Sequence, residues 1–275
     1  MTLLPMAKYH GCGNDFLLLR KEAVQGIDLA RLIPAACHRQ TGAGADGFIL
    51  AGQPPLEMIY YNSDGSPAPM CGNGIRCFAR FCWEEGLVTS RSFPVLTGDG
   101  VKEVEITGLD PFEARISMGR PDDRPQAVGI GGDTPLWDYP LTVMDRQVTL
   151  CTLFMATVHT VWLVEDAFDD RLLPLAEAIH RHPFFPRKTN LNLVQVIDRN
   201  TLRMRTWERG AGLTLACGTG ACAAALVARR KGLCGPKIAV ELPLGRLTIT
   251  IDPDETVRMA GPACPIWKGE YCYDC

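Results

Sequence analysis

The sequence predicts an α+β fold of two pseudo-symmetric halves, each a sheet wrapped around a largely buried central helix. Three observations predict it. The motif Cys-Gly-x-Gly occurs twice, as Cys71-Gly72-Asn73-Gly74 and Cys217-Gly218-Thr219-Gly220, 146 positions apart (71 to 217). Weaker matches recur at nearly the same offset, as a duplicated domain requires and a short-period solenoid does not. Most of the remaining chain reads as β-branched or alternating strand segments, with few helical stretches.

Taken in order, Asn14 near the start has Thr157 as its counterpart at an offset of 143, in a matching strand-like context. Asp46-Gly47-Phe48-Ile49 matches Asn190-Leu191-Asn192-Leu193 at 144, and Asn62 and Glu208 each lie nine residues before their cysteine. Helices are expected over about 28–39, 72–85, 169–182 and 218–231. Gly86 and Gly232 each follow their cysteine by 15 residues and are placed to stop the second and fourth helices. Ile75, Phe78, Ala79 and Cys82 fall at helical spacing in the second helix. Ala221-Cys-Ala-Ala-Ala-Leu-Val-Ala228 is apolar on every side and so reads as a buried helix. Gly100 before Val101–Ile106 matches Gly245 before Arg246–Ile251. Segments 141–144, 148–154, 160–164, 193–197 and 202–207 read as strands. The Pro-, Gly- and Asp-rich stretch 119–135 reads as a linker, with a second break near Gly261-Pro262. The expected division is therefore 1–119 plus 262–275, carrying Cys71, and 120–261, carrying Cys217.

Bulk properties narrow the function. Hydrophobic content of 47% with 21% charged residues is that of a globular chain able to bury a core. A net charge of −3 gives no footprint for nucleic acid. No apolar run approaches the roughly 20 residues of a membrane span. The opening Met1–Lys8 lacks a basic stretch followed by an apolar one, so no signal peptide is expected. The twelve cysteines are scattered rather than grouped as a framework, which favours a reduced, cytoplasmic protein.

A helix N-terminus stabilises a thiolate, because its unpaired N–H groups and the positive end of its dipole favour an anion. Glycines beside the cysteine let a carboxylate approach the same N–H groups. Two such sites in related halves suit an enzyme that removes a proton from one face of a carbon and returns one to the other. Without a carbonyl cofactor, such a reaction needs a base, an acid opposite it and stabilisation of the carbanion. Cys77 and Cys222, inside the helices, are expected in the core. Cys264, Cys272 and Cys275 lack the fourth ligand of a structural zinc site, so no metal is expected.

Several stretches resemble the diaminopimelate epimerase family across almost the whole chain. They are Lys8–Phe16, Gly42–Ile49, Tyr61–Ser66, Cys71–Phe81, Trp207–Gly212 and Ala216–Ala224. The resemblance implies two β-barrel-like halves, each with a central helix, and an active site between them. It implies cofactor-independent interconversion of LL- and meso-diaminopimelate in lysine and cell-wall precursor synthesis, by a homodimer with Trp267 where the family places an interface aromatic. By resemblance Cys71 and Cys217 are the acid/base pair, and His159 and Glu208 tune the thiols. Asn14, Asn62, Gly72, Asn73, Thr157, Asn190, Glu208, Arg209, Gly218 and Thr219 hold substrate, Arg209 gripping the distal carboxylate. Thr157-Val158-His159 departs from the family's common Asn-Pro-His, and this bears on substrate choice. Gly47 and Gly212-Leu213-Thr214 are smaller departures.

Two other readings predict different behaviour. A racemase of another amino acid would keep the two thiols and change the substrate. A cysteine-rich redox or metal protein would bind metal or cycle its thiols without exchanging an α-proton.

Overall fold

The computed structural model describes residues 2–274. The chain divides into two compact units, Met1–Ile116 with Gly261–Cys275, and Ser117–Ala260. The first unit opens with β1 (Thr2–Gly11), β2 (Asn14–Arg20), α1 (Leu29–Cys37), β3 (Gly47–Gly52), β4 (Glu57–Asn62), β5 (Pro67–Ala68) and α2 (Gly72–Glu84). β6 (Ser92–Thr97), β7 (Gly100–Leu109) and β8 (Phe112–Gly119) follow. β1 and β2 pair antiparallel, β2 and β3 parallel across α1, β3 and β4 antiparallel, and β4 and β5 antiparallel. β4 then meets β6 in parallel across α2, and β6, β7 and β8 form an antiparallel meander.

The second unit repeats this order. Its elements are β9 (Leu136–Val143), β10 (Arg146–Met155), β11 (Thr157–Leu163), α3 (Leu173–His180), β12 (Asn190–Asp198), β13 (Thr201–Glu208) and β14 (Gly212–Thr214). After them come α4 (Gly218–Arg230), β15 (Lys237–Leu242), β16 (Gly245–Ile251) and β17 (Val257–Pro262). The β10–β11, β12–β13 and β13–β14 pairs are antiparallel, whereas β11–β12 and β13–β15 are parallel. β15, β16 and β17 close the meander. β9 lies antiparallel to β10, and the last strand, β18 (Cys264–Tyr273), lies antiparallel to β1 in the first unit.

Register fixes the equivalent positions. Phe16 lies opposite Gly47 in the first unit, and His159 opposite Asn190 in the second. Asn190 therefore corresponds to Gly47, not to Asp46 as the sequence match at 144 suggested. An offset of 143 holds for β2 and β3, and the extra residues enter later, in the loops. Ile49, opposite Tyr60, is likewise the counterpart of Asn192, opposite Thr206.

Helix ends repeat as well. Gly86 and Gly232 take left-handed φ angles of 67° and 71°. Leu87 and Leu233 then donate back to the carbonyls of Cys82 and Ala228, at 2.8 and 3.0 Å, closing the same C-terminal motif twice. The α4 side chains from Ala221 to Ala228 are all buried. Alanine favours the helix and lets strands approach closely on every side. α1 closes a second layer in the first unit, packing Leu32, Ile33 and Ala36 with Leu17, Leu19, Phe48 and Leu50. α3 does the same in the second, through Ala176 and Ile179 with Leu150, Leu191 and Leu193.

The stretch 119–135 is more structured than a linker. Asp122 bridges Phe154 in β10, and Pro125–Val128 forms a 3₁₀ turn that buries Pro125 and Val128. Proline and glycine there mark turns, not the absence of packing. Gly261 and Pro262 end β17 where the second unit stops, after Ala260, and the first unit resumes.

Candidate active site

Each Cys-Gly-x-Gly copy forms the start of a helix. Cys71 and Cys217 are the N-cap residues of α2 and α4, both extended (φ −133° and −121°), and neither sulfur caps the helix. Their carbonyls accept the first intrahelical bonds, from Ile75 and Ala221. The N–H groups of the first turn are thus left to other acceptors.

In the first unit Cys71 is half-buried. The turn beneath it is held by Arg76, a wholly buried arginine. Arg76 Nη1 donates to the Gly72 carbonyl at 2.9 Å and Nη2 to Asn73 Oδ1 at 3.0 Å, while Nε reaches the Pro262 carbonyl. The sequence reading gave Arg76 no role, although its spacing of four and three residues from Gly72 and Asn73 is the available signal. Asn14 opens β2, and its Oδ1 is buried with no hydrogen-bond partner. Such an atom suits a donor from a bound molecule. Asn62 is occupied by its own turn, donating to Ser66 Oγ at 3.0 Å and accepting from the Tyr60 hydroxyl at 3.3 Å.

In the second unit, Cys217 is 5% exposed and its thiol donates to Glu208 Oε2 at 3.2 Å. Glu208 Oε1 accepts from the Thr214 hydroxyl at 2.5 Å. Thr214 is a further residue the sequence reading left without a role. Burial pushes Glu208 up, more than these two bonds draw it down. Burial, and then the charge of Glu208, hold the Cys217 thiol well above the usual thiol range, against the Thr219 hydroxyl and the Gly220 N–H. The proton on Cys217 thus sits between an acceptor and groups that stabilise the thiolate.

His159 is wholly buried on β11. Its Nε2 lies 2.9 Å from Thr219 Oγ1, which is 3.6 Å from Cys217 Sγ. Burial, and then the charge of Arg209, lower the imidazole to about 3, so it is neutral at physiological pH. An unfolded histidine protonates near pH 6.5, so the stability that burial of the neutral ring permits is lost as pH falls from there toward 3. A His159→Gln variant is therefore expected to lose less thermal stability than the parent between about pH 7 and about pH 4. Equal losses in two calorimetric series would contradict a buried neutral histidine.

Arg209 is set from three sides. Its backbone N–H donates to Asn190 Oδ1 at 2.8 Å, and its guanidinium donates to the Arg187 carbonyl at 3.2 Å and to Thr157 Oγ1 at 2.5 Å. The second unit therefore gathers Thr157, His159, Asn190, Glu208, Arg209, Cys217 and Thr219. The first gathers Cys71, Gly72 and Asn73 at the α2 start.

The family model for diaminopimelate epimerase matches residues 6–122 and 151–265, most of both units. The chain belongs to the diaminopimelate epimerase family. It is 41% identical over 276 residues to the diaminopimelate epimerase of Moorella thermoacetica, covering 97% of this chain and 99% of that one. With the diaminopimelate epimerase of Alkaliphilus metalliredigens it shares 39% over 271 residues, 96% of each. Two solved structures share the fold at low identity. A hydroxyproline epimerase from Agrobacterium vitis has a TM-score of 0.71 at 12% identity, covering 99% of this chain and 93% of that one. A PhzF-family phenazine biosynthesis protein from Bacillus anthracis has a TM-score of 0.70 at 11%, covering 99% and 100%.

Among the other cysteines of this diaminopimelate epimerase family member, Cys12 Sγ lies 4.0 Å from Arg76 Nη2, beneath the α2 start. Cys77 and Cys222 are wholly buried. Cys264 and Cys272 stand eight residues apart on the single strand β18. That is about 26 Å at the rise of an extended chain, too far to share one ion. Cys275 lies outside the described residues. Among the described residues, no group of three or more His, Cys, Asp or Glu is placed to hold a metal ion, and no helix is long and apolar enough to cross a membrane.

Proposed function

We propose that the chain interconverts LL- and meso-diaminopimelate by proton transfer at one α-carbon, with Cys71 and Cys217 as the two acid/base groups. The observation that carries this reading is the Cys217 thiol, bonded to Glu208 at 3.2 Å at the N-cap position of a helix whose start is repeated at Cys71. One cysteine enters as thiolate and takes the α-proton; the other, as thiol, gives its proton to the opposite face. The roles exchange in the reverse direction. The negative charge that develops on the substrate's carboxylate is stabilised by the N–H groups at the helix starts. The buried, unpartnered Asn14 Oδ1 supports an ammonium nearby. Arg209, held by Thr157 and the Arg187 carbonyl, supports recognition of the distal carboxylate. Here Thr157 keeps a contact to Arg209, which favours the family substrate over another amino acid. The reaction needs no cofactor in this scheme. It serves lysine and peptidoglycan precursor synthesis in the cytoplasm, and the protein acts as a homodimer.

The test is proton NMR of the reduced, metal-free protein with LL-diaminopimelate in D₂O. Loss of one α-proton signal with appearance of the meso form is the expected result. Exchange with a different amino acid alone would move the substrate and keep the mechanism. No exchange with any amino acid would turn attention to thiol redox or metal chemistry.

A further inference from the structure

We infer that Asn192 is a positioning residue that fixes the tautomer of His159, so that Thr219 presents its hydroxyl hydrogen to the Cys217 sulfur. The inference rests on the two-thiol reading for its effect on rate, but not for the tautomer itself.

The chain of hydrogen bonds runs in one direction only. Asn192 is wholly buried on β12. One of its side-chain atoms lies 3.0 Å from the Thr160 backbone carbonyl, which can only accept, so that atom is the amide nitrogen. The amide oxygen then accepts from the Thr206 hydroxyl at 3.0 Å, across the β12–β13 ladder. The second amide hydrogen has two acceptors in reach, His159 Nδ1 at 3.3 Å and the Asn190 carbonyl at 3.5 Å, and we assign it to the nearer, Nδ1. A neutral imidazole has one donor and one acceptor, so Nδ1 accepts and Nε2 carries the proton. That proton goes to Thr219 Oγ1 at 2.9 Å. The Thr219 hydroxyl, having accepted, has its own hydrogen free for Cys217 Sγ at 3.6 Å.

The fold itself does not need a polar residue at this position. Its counterpart in the first unit is Ile49, and the counterpart of His159 is Phe16. There Phe16 and Ile49 fill the two ladder positions with apolar side chains. A buried amide is costly unless fully satisfied, so its presence here calls for a role that packing does not supply. Gly220 ties that amide to the thiol: a Cβ on it would lie 2.3 Å from Asn192 Oδ1 and 3.2 Å from Cys217 Sγ.

Nitrogen-15 NMR of histidine-labelled protein tests this. In the parent protein, His159 is expected to show an unprotonated Nδ1 and a protonated Nε2. In Asn192→Asp, a carboxylate facing Nδ1 should draw the proton there. Nε2 then accepts from Thr219, whose hydrogen is no longer available to sulfur. The kcat for epimerisation should fall by about tenfold or more, with KM little changed, as for other residues that act by orienting a functional group. A parent protein with the proton on Nδ1 overturns the inference even if the variant does not fold. So does a switched tautomer with unchanged kcat. An inactive parent with the expected tautomer would refute the proposed function and leave the hydrogen-bond assignment standing.

Discussion

Alanine at Cys71 or at Cys217 is expected to lower kcat for epimerisation by about a hundred- to ten-thousandfold, the range for loss of a positioned acid or base. The fold should survive both changes, for different reasons. The Cys71 sulfur does not cap α2 and is half-buried, so its removal takes no capping bond from the helix. Cys217 is buried, but its loss leaves Glu208 with the Thr214 hydroxyl. Thermal melts beside α-proton exchange in D₂O would separate the two effects. Either variant with parent-like exchange would remove its cysteine from the mechanism. The expectation is the same in both directions of reaction, because each thiol serves once as acid and once as base.

Gly220→Ala should be far more damaging than Gly74→Ala, although both are the third residue of the motif's helix. An alanine Cβ at 220 would lie 2.3 Å from Asn192 Oδ1. The Asn192 amide bonds Thr160, Thr206 and His159 and has nowhere to retreat. Forced overpacking of this kind costs about 1–3 kcal/mol. At 74, the Cβ meets the Ile49 Cδ1 and Met58 Cε at 3.1 and 3.3 Å and the Cys71 Cβ at 3.3 Å. The first two are ends of flexible side chains and yield by a few tenths of an ångström. Alanine is also the better helix former, by about 1 kcal/mol, which offsets the adjustment at 74. Urea denaturation of the two variants should show a clear loss for 220 and little change for 74, with kcat falling alongside stability only in the first. Equal stabilities would mean that the Asn192 amide moves, and would weaken the case for its fixed orientation.

Much of this was legible in the sequence because repetition multiplies weak signals. Neither Cys-Gly-x-Gly copy alone marks a helix start, but with Gly86 and Gly232 at matched distances the two helices were readable. The second unit's strands announced themselves through β-branched runs. Three things did not. The exact equivalence of Gly47 with Asn190 needed strand register, since a one-residue error is invisible in short, divergent segments. Asn192 falls within a repeated segment, yet a lone asparagine among apolar residues carries no sign of its partners. Thr206 and His159, which give it meaning, lie 14 and 33 positions away. The stretch 119–135 had the composition of a linker, and only the bridge from Asp122 and the burial of Val128 show that it packs.

The unequal lining of the repeated ladder has a further consequence. Phe16 and Ile49 stand in one unit where His159 and Asn192 stand in the other. Two identical halves would supply two thiols of equal proton affinity, with no preference for which held the proton before substrate arrived. A single chain carrying both halves can let them diverge, because each codon is free to change without its twin. The resulting inequality gives the resting protein a handedness of its own, which an assembly of identical halves would lack.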